Sequence, residues 1–124
     1  MRSLKALLIL GFAALVLLPF ASRAEPIHHE THYPSGEGPF PVVLALHTSG
    51  GFKTIKSQIP KYVGAGYAVY APDFFKRHGI DHSNRFETWT TYRKPIEKEL
   101  LEIIEVIKKD PKVDSKNIFA VGFS

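Results

Sequence analysis

Hydrophobic and polar residues divide this chain into short apolar runs separated by longer amphipathic stretches. Three apolar runs end in turn-forming residues, at positions 41 to 47, 66 to 73 and 117 to 124. The first run, "PVVLALH", has no polar alternation, which is typical of a strand buried on both faces of a sheet. Helical spacing fills the stretches between the runs. This order predicts an α/β fold, with a mostly parallel sheet and crossover helices.

The stretch between the second and third strands predicts the longer helix, from about Pro95 to Lys109. Pro95 suits the first turn, and the Asp110-Pro111 pair ends the helix, because the residue before a proline is disfavoured in helical geometry. The apolar face of this helix is formed by Ile96, Leu100, Ile103, Ile104 and Ile107.

A shorter helix is predicted between the first and second strands. Ser57 is a candidate N-cap, Pro60 falls in the first turn and Gly64 can end the helix. Residues 27 to 40 are more polar and predict an edge hairpin that turns at "PSGEGP".

The composition is that of an ordinary globular protein. The chain has 124 residues and no cysteine, with 44% hydrophobic and 23% charged residues. Arg2, Lys5 and Arg23 supply three of the four net positive charges, and the rest of the chain carries 13 basic and 12 acidic residues. This nearly neutral remainder predicts no nucleic-acid partner.

Residues 1 to 24 have the pattern of a signal peptide. Arg2 and Lys5 precede an apolar run of 17 residues, and the small residues Ser22 and Ala24 stand where a signal peptidase reads the chain. We therefore expect cleavage after Ala24.

Cleavage there predicts a mature protein that is exported, either periplasmic or secreted, without a stable membrane partner. An uncleaved anchor is the alternative, because 17 apolar residues lie at the short end of the roughly 17 to 25 that span a bilayer.

The last apolar run ends in Gly122-Phe123-Ser124, the first half of a G-x-S-x-G nucleophile elbow. In such an elbow, the turn from strand to helix is so tight that small residues must flank the serine. The turn also exposes the hydroxyl, and the amides of the following helix face the developing oxyanion. Ser124 is therefore a candidate nucleophile, and a solvent-facing serine in an ordinary turn is the alternative.

A glycine-rich loop, "LHTSGG", follows the first strand at residues 46 to 51. A hydrolase of this architecture has its other oxyanion donor there. The candidates are the backbone N–H groups of Thr48, Ser49 and Gly50, one of which would serve, and Ser49 is favoured by position. The alternative is a loop whose glycines only satisfy turn geometry.

Together these pieces resemble the N-terminal half of an α/β-hydrolase of the dienelactone hydrolase-like group. The stretches that carry the resemblance are "YPSGEGPFPVVLALHTSGG", "AGYAVYAPDFF", "DPKVDSKNIFAVGFS" and the longer helix. The resemblance implies a carboxylic ester hydrolase that acts on a small-molecule ester or lactone. Its nucleophile would be Ser124, its intermediate an acyl-enzyme, and it would use no metal or organic cofactor. The namesake enzymes use cysteine, so the serine favours a general esterase over a true dienelactone substrate.

In such enzymes the acid and the histidine of the triad follow the nucleophile in chain order. The resemblance therefore implies that residues 25 to 124 form a partial, incomplete domain, truncated at Ser124. We expect this part alone to be inactive and, because its last strand leaves an open edge, poorly soluble.

Aromatic residues are concentrated after the second strand, on the side of the sheet where open α/β folds bind ligands. Phe74 and Trp89 are candidates for a substrate pocket, although the same residues could instead cover the sheet edge. The full set is Phe74, Phe75, Phe86, Trp89 and Tyr92.

The histidines His28, His29 and His32, in "HHETH", support a competing hypothesis of an exported metal-binding protein. Their spacing is not that of H-E-x-x-H, and a polar, flexible N-terminus is the simpler interpretation, so no metal site is predicted. A peptidase or acyltransferase on the same fold is a further alternative.

The remaining histidines are given no catalytic role. We interpret His47 as a loop-shaping residue, and His78 and His82 as residues of a solvated loop, with a role at the rim as the alternative.

Overall fold

The computed structural model describes residues 25 to 124. The predicted signal peptide, residues 1 to 24, and its cleavage site lie outside the described residues. No helix in the described part is both long enough and apolar enough to cross a membrane.

Four strands form a single mixed sheet. They are β1 (His29–His32), β2 (Phe40–Leu46), β3 (Ala68–Pro72) and β4 (Val113–Gly122). Their order across the sheet is β1-β3-β2-β4. β2 runs parallel to both β3 and β4, whereas β1 is antiparallel to β3. The predicted mostly parallel α/β sheet is therefore confirmed.

The edge hairpin predicted for residues 27 to 40 is wrong, because β1 pairs with β3 and not with β2. The turn before β2 is held instead against the loop that leads into β4. The Phe40 N–H donates to the Lys112 carbonyl oxygen at 2.9 Å. A Cβ on Gly38 would lie 2.6 Å from that same oxygen, so glycine permits the close approach. This tie directs β2 alongside β4.

The helices lie where the sequence predicts them. Pro60 and Pro95 stand in the first turns of the two α-helices, but Gln58 and not Ser57 is the N-cap residue of the first, and no side chain caps it. The α-helices are α1 (Ile59–Gly64) and α2 (Arg93–Lys108), and two short 3-10 helices cover Phe52–Thr54 and Arg85–Trp89.

Both faces of the sheet are covered at β2, which explains the unbroken apolar run of this strand. Successive β2 side chains point to opposite faces. Val42 and Leu44 pack with Ile103 and Ile107 of α2 on one face. Val43 and Ala45 pack on the other face with the α1 side of the molecule, through Ile55 and Ile59.

The apolar face of α2 is less completely buried than predicted. Ile96, Ile103 and Ile107 are buried as expected, but Leu100 and Ile104 are only partly covered. Glu99, which follows Ile96 by one turn, is 1% exposed and takes a place on the buried face.

The segment after β3 packs onto the beginning of α2. Phe74, Phe75 and Ile80 form an apolar cluster with Ile96. The cluster fixes this segment beside the carboxyl ends of the strands, where the site described next is found.

Candidate active site

A cleft of about 830 Å³ opens at the carboxyl ends of the parallel strands. This is the side on which open α/β sheets bind ligands. Ser124 lines the cleft after β4, Thr48 and Ser49 line it after β2, and Phe74 and Trp89 contribute from the segment between β3 and α2. The structure thus brings five of the six predicted site residues to one cleft, and Gly50 is not among its lining residues.

Ser124 reaches the cleft because the ends of β2 and β4 are tied together. The Phe123 N–H donates to the Leu46 carbonyl oxygen at 3.4 Å. A Cβ on Gly122 would meet nothing within 4 Å among the described residues. The described packing therefore does not require that glycine, and the small-residue requirement of an elbow stays a prediction.

Residues 48 to 51 form a tight turn in which both glycines are needed. The Gly51 N–H donates to the Thr48 carbonyl oxygen at 3.0 Å, which closes the turn. Gly51 has a φ of +89°, a conformation that favours glycine. A Cβ on Gly50 would lie 2.8 Å from the Thr54 side chain. The glycines therefore do satisfy turn geometry, as the simpler interpretation held.

The hydrogen bonds of this turn leave one amide free. The Thr48 N–H donates to the Thr54 hydroxyl at 3.1 Å, and the Gly50 N–H donates to the Thr48 hydroxyl at 2.9 Å. The Gly51 amide is used in closing the turn. Within the described residues the Ser49 N–H has no acceptor, and Ser49 lines the cleft. Because backbone N–H groups in folded proteins nearly always find a partner, this amide is available to a ligand.

The side chain of His47 supports the turn from below. Its ring stacks on Phe74 with centroids 3.8 Å apart and meets the Phe75 ring edge-on at 4.7 Å. Its Nδ1 donates to the Thr48 carbonyl oxygen at 2.8 Å. This contact agrees with the loop-shaping role expected of His47.

The protonation of His47 follows from its surroundings. The residue is 4% exposed, and burial lowers its pKa although Asp73 lies nearby. Its Nε2 is buried without a hydrogen-bond partner in the described part and lies 3.8 Å from Asp73 Oδ1. The imidazole is therefore neutral at pH 7 with its proton on Nδ1, and no substrate atom can reach its free nitrogen.

The charged side chains that line the cleft neutralise each other. Arg93 Nε donates to Glu97 Oε1 at 2.9 Å, across one turn of α2. Both side chains are exposed and stand at the mouth of the cleft, so the pair contributes little to stability. The described walls of the cleft thus carry no net charge.

The three histidines of "HHETH" are not brought together. His28 bonds to Glu25 at 3.1 Å, and His32 bonds to Glu30 at 3.0 Å. The His29 ring instead stacks on Tyr70 at 5.9 Å. In the part of the chain that the structure describes, no group of three or more His, Cys, Asp or Glu side chains is placed so that it could hold a metal ion.

A buried pair that the sequence did not reveal fixes the wall of the cleft. His78 Nε2 lies 2.7 Å from Glu99 Oε2, and burial raises the pKa of Glu99. The solvated-loop interpretation of His78 is therefore wrong, while His82 is exposed as expected. The signal that could have found this pair is an acidic residue on the buried face of a helix. The His78–Glu99 pair attaches the segment that carries Phe74 to α2.

A family model described as "Dienelactone hydrolase family" matches residues 30–124. No curated protein is found to match the chain.

Proposed function

Because the chain belongs to the dienelactone hydrolase family, a family of α/β-hydrolases, we propose that this protein is a serine hydrolase of carboxylic esters or lactones. Family membership indicates hydrolysis of a small-molecule substrate of this type. The observation that carries the serine mechanism is the free Ser49 amide, which lines the same cleft as Ser124.

In the proposed reaction, Ser124 Oγ attacks the carbonyl carbon and forms a C–O bond while its proton passes to a general base. The carbonyl oxygen becomes an oxyanion, held by the Ser49 N–H and by the amide that follows Ser124. Collapse of the tetrahedral intermediate breaks the ester bond, and the alcohol leaves with the proton. Water then attacks the acyl-enzyme, which releases the acid and restores the Ser124 hydroxyl.

The general base of this reaction comes from outside residues 25 to 124. In the described part, His47 is the histidine that lines the cleft, and its nitrogens are either bonded to Thr48 or buried beside Asp73. We therefore propose that a histidine and its acidic partner elsewhere in the protein complete the triad. On this proposal, residues 25 to 124 alone do not turn over an ester.

The nucleophile is tested with a fluorophosphonate probe on the whole protein. We expect labelling of Ser124, no labelling of the Ser124→Ala variant, and full labelling of Ser83→Ala as a matched control on an exposed loop. Labelling that persists in Ser124→Ala would contradict the proposal, since the probe would then mark another nucleophile.

We also propose that the protein is exported and cleaved after Ala24. The positive start at Arg2 and Lys5 and the apolar run that follows support this. N-terminal sequencing of the protein from its native host should begin at Glu25. A chain that retains residues 1 to 24 in the membrane fraction would favour the uncleaved anchor instead.

A further inference from the structure

Two exposed aromatic side chains belong to one short helix beside the cleft, and one of them lines the cleft. Phe86 and Trp89 lie three residues apart in the 3-10 helix Arg85–Trp89. Such a helix has three residues per turn, so the two side chains share one face. They are 67% and 69% exposed, and Trp89 also lines the cleft. We call Phe86 and Trp89 the rim pair.

The backbone that carries the rim pair is held by its own hydrogen bonds. The Glu87 N–H donates to the Asn84 carbonyl oxygen at 2.9 Å, and the Asn84 side chain donates to the Gly79 carbonyl oxygen at 3.3 Å. Thr88, the residue before Trp89, is buried, and its hydroxyl donates to the Arg85 carbonyl oxygen at 2.6 Å. The rings are therefore presented on an ordered support, although they do not pack into the core.

The faces of the rim pair are left without an aromatic partner in the described residues. The Arg85 guanidinium lies 4.8 Å from the Phe86 ring centroid, and no described ring stacks on either side chain. Exposing large aromatic surfaces next to each other is unfavourable in water. Adjacent exposed apolar side chains beside a cleft are typical of a ligand-binding surface.

We propose that the rim pair binds an aryl group of the ester substrate while the ester carbonyl lies between Ser124 and Ser49. This inference rests on the proposed function and adds a substrate class to it. Flat aromatic rings favour stacking on a flat partner. The neutralised charges of Arg93 and Glu97 give an acidic or basic substrate no counterpart in the described walls. A cleft of about 830 Å³ has room for a ring together with the ester.

The test compares three methyl esters on the whole protein: 3-phenylpropanoate, its saturated analogue 3-cyclohexylpropanoate, and acetate. Trp89→Ala should lower kcat/KM for the phenyl ester by about tenfold, with a smaller loss for the cyclohexyl ester and none for acetate. Phe86→Ala should act in the same direction. Leu101→Ala is the matched control, because Leu101 is 66% exposed, does not line the cleft and lies on α2 and not on the 3-10 helix that carries the rim pair.

An equal loss of kcat/KM for all three esters would overturn the inference, since the substitution of Trp89 would then act by disturbing the structure and not by removing a contact with the aryl group. So would protection of Trp89 fluorescence from acrylamide in the free protein, because another part of the protein would then cover the ring. The emission of Trp89 is taken as the difference from Trp89→Phe.

Binding is measured apart from catalysis with the Ser124→Ala variant. The phenyl ester should change the Trp89 emission of this variant, and acetate should not. A change in emission without ester hydrolysis by the parent protein would contradict the proposed function but support the rim pair. Hydrolysis of all three esters with no preference and no change in emission would contradict the rim pair alone.

Discussion

At the scale of single residues, the chemistry of the turn at 48 to 51 depends on two hydroxyl groups. The Thr54 hydroxyl accepts the Thr48 amide and donates to the Gly51 carbonyl oxygen, and the Thr48 hydroxyl accepts the Gly50 amide. Each hydroxyl therefore accepts a hydrogen bond from one amide that could otherwise donate to an oxyanion. In the proposed mechanism Ser49 is therefore the donor, because the amides of its neighbours are already bonded.

Replacing Ser49 by proline tests this donor, because proline removes the N–H and suits the second position of such a turn. We expect kcat for an ester to fall about 100- to 1000-fold, as when an oxyanion donor is lost, with KM little changed. Ser49→Ala keeps the amide and should retain most of the activity. If the two variants are equally active, the Ser49 amide is not the donor.

Burial of His47 predicts a pH dependence of stability. Its pKa is lowered in the folded protein, so the unfolded chain binds more protons once the pH falls below the ordinary histidine pKa of about 6.5. The contribution of His47 is therefore fully present above that pH and is lost as the pH falls towards the lowered folded value. His47→Phe keeps a stacked ring but cannot titrate.

Urea unfolding of the parent protein and of His47→Phe at pH 5 and pH 7 measures this contribution. We expect the parent protein to lose more unfolding free energy between these two values than the variant does. The pKa of Glu99 is raised, so its contribution to stability changes with pH in the opposite direction. Because both proteins retain Glu99, the comparison between them removes this contribution. Equal losses in both proteins would contradict a neutral, buried His47.

At the scale of secondary structure, α2 carries a buried acid on its core face. Glu99 Oε2 is paired with His78, while Oε1 is buried without a partner in the described residues. Glu99→Gln keeps an oxygen for His78 and removes a charge from the interior. Glu99→Ala leaves His78 without its partner and opens a cavity.

We expect Glu99→Gln to be about as stable as the parent protein or more so, whereas Glu99→Ala loses about 3 kcal/mol of unfolding free energy. Thermal and urea unfolding would measure both. Glu97→Ala is a control on the exposed face of the same helix and should change little. A Glu99→Gln variant as unstable as Glu99→Ala would show that the charge itself is required.

The strands and helices were predictable because their signals are local. The apolar run of β2 and the prolines at the starts of α1 and α2 are visible in a few neighbouring positions. The pairing of β1 and the burial of Glu99 depend on partners far along the chain, on β3 and at His78. A single sequence does not reveal such pairings. For this reason the predicted hairpin is wrong, and the predicted apolar face of α2 omits Glu99.

The sequence predicts which loops form the candidate site but not which amide within them is free. Motif spacing pointed to Ser124 and to three amides of one turn, and the structure brings these elements to one cleft except for Gly50. The choice among the amides needs the hydroxyl of Thr54, whose position depends on the 3-10 helix Phe52–Thr54. Likewise, only the structure separates the buried Phe74 from the exposed Trp89.

At the scale of the whole molecule, β4 has one strand neighbour in the described residues, β2. Its other edge carries unpaired backbone groups, and the Phe119 side chain is about half exposed. We expect residues 25 to 124, expressed alone, to self-associate through this edge. Light scattering after size exclusion would measure the effect.

A lysine in place of Phe119 should reduce this association, since charged side chains disfavour edge-to-edge pairing. Leu101→Lys, on α2 and away from the edge, is the control and should not. A monodisperse, sharply melting monomer from the unmodified residues 25 to 124 would contradict the prediction.

The stacking of Phe74 on His47 has a consequence for how this protein can evolve. If the proposed mechanism holds, a mutation of Phe74 that alters the cleft wall also disturbs the His47 ring that supports the turn at 48 to 51, so a new specificity gained there lowers the rate. Phe86 and Trp89 have no such connection to the turn in the described residues. Adaptation to new substrates should therefore accumulate at the rim pair, where substitutions leave the turn at 48 to 51 unchanged.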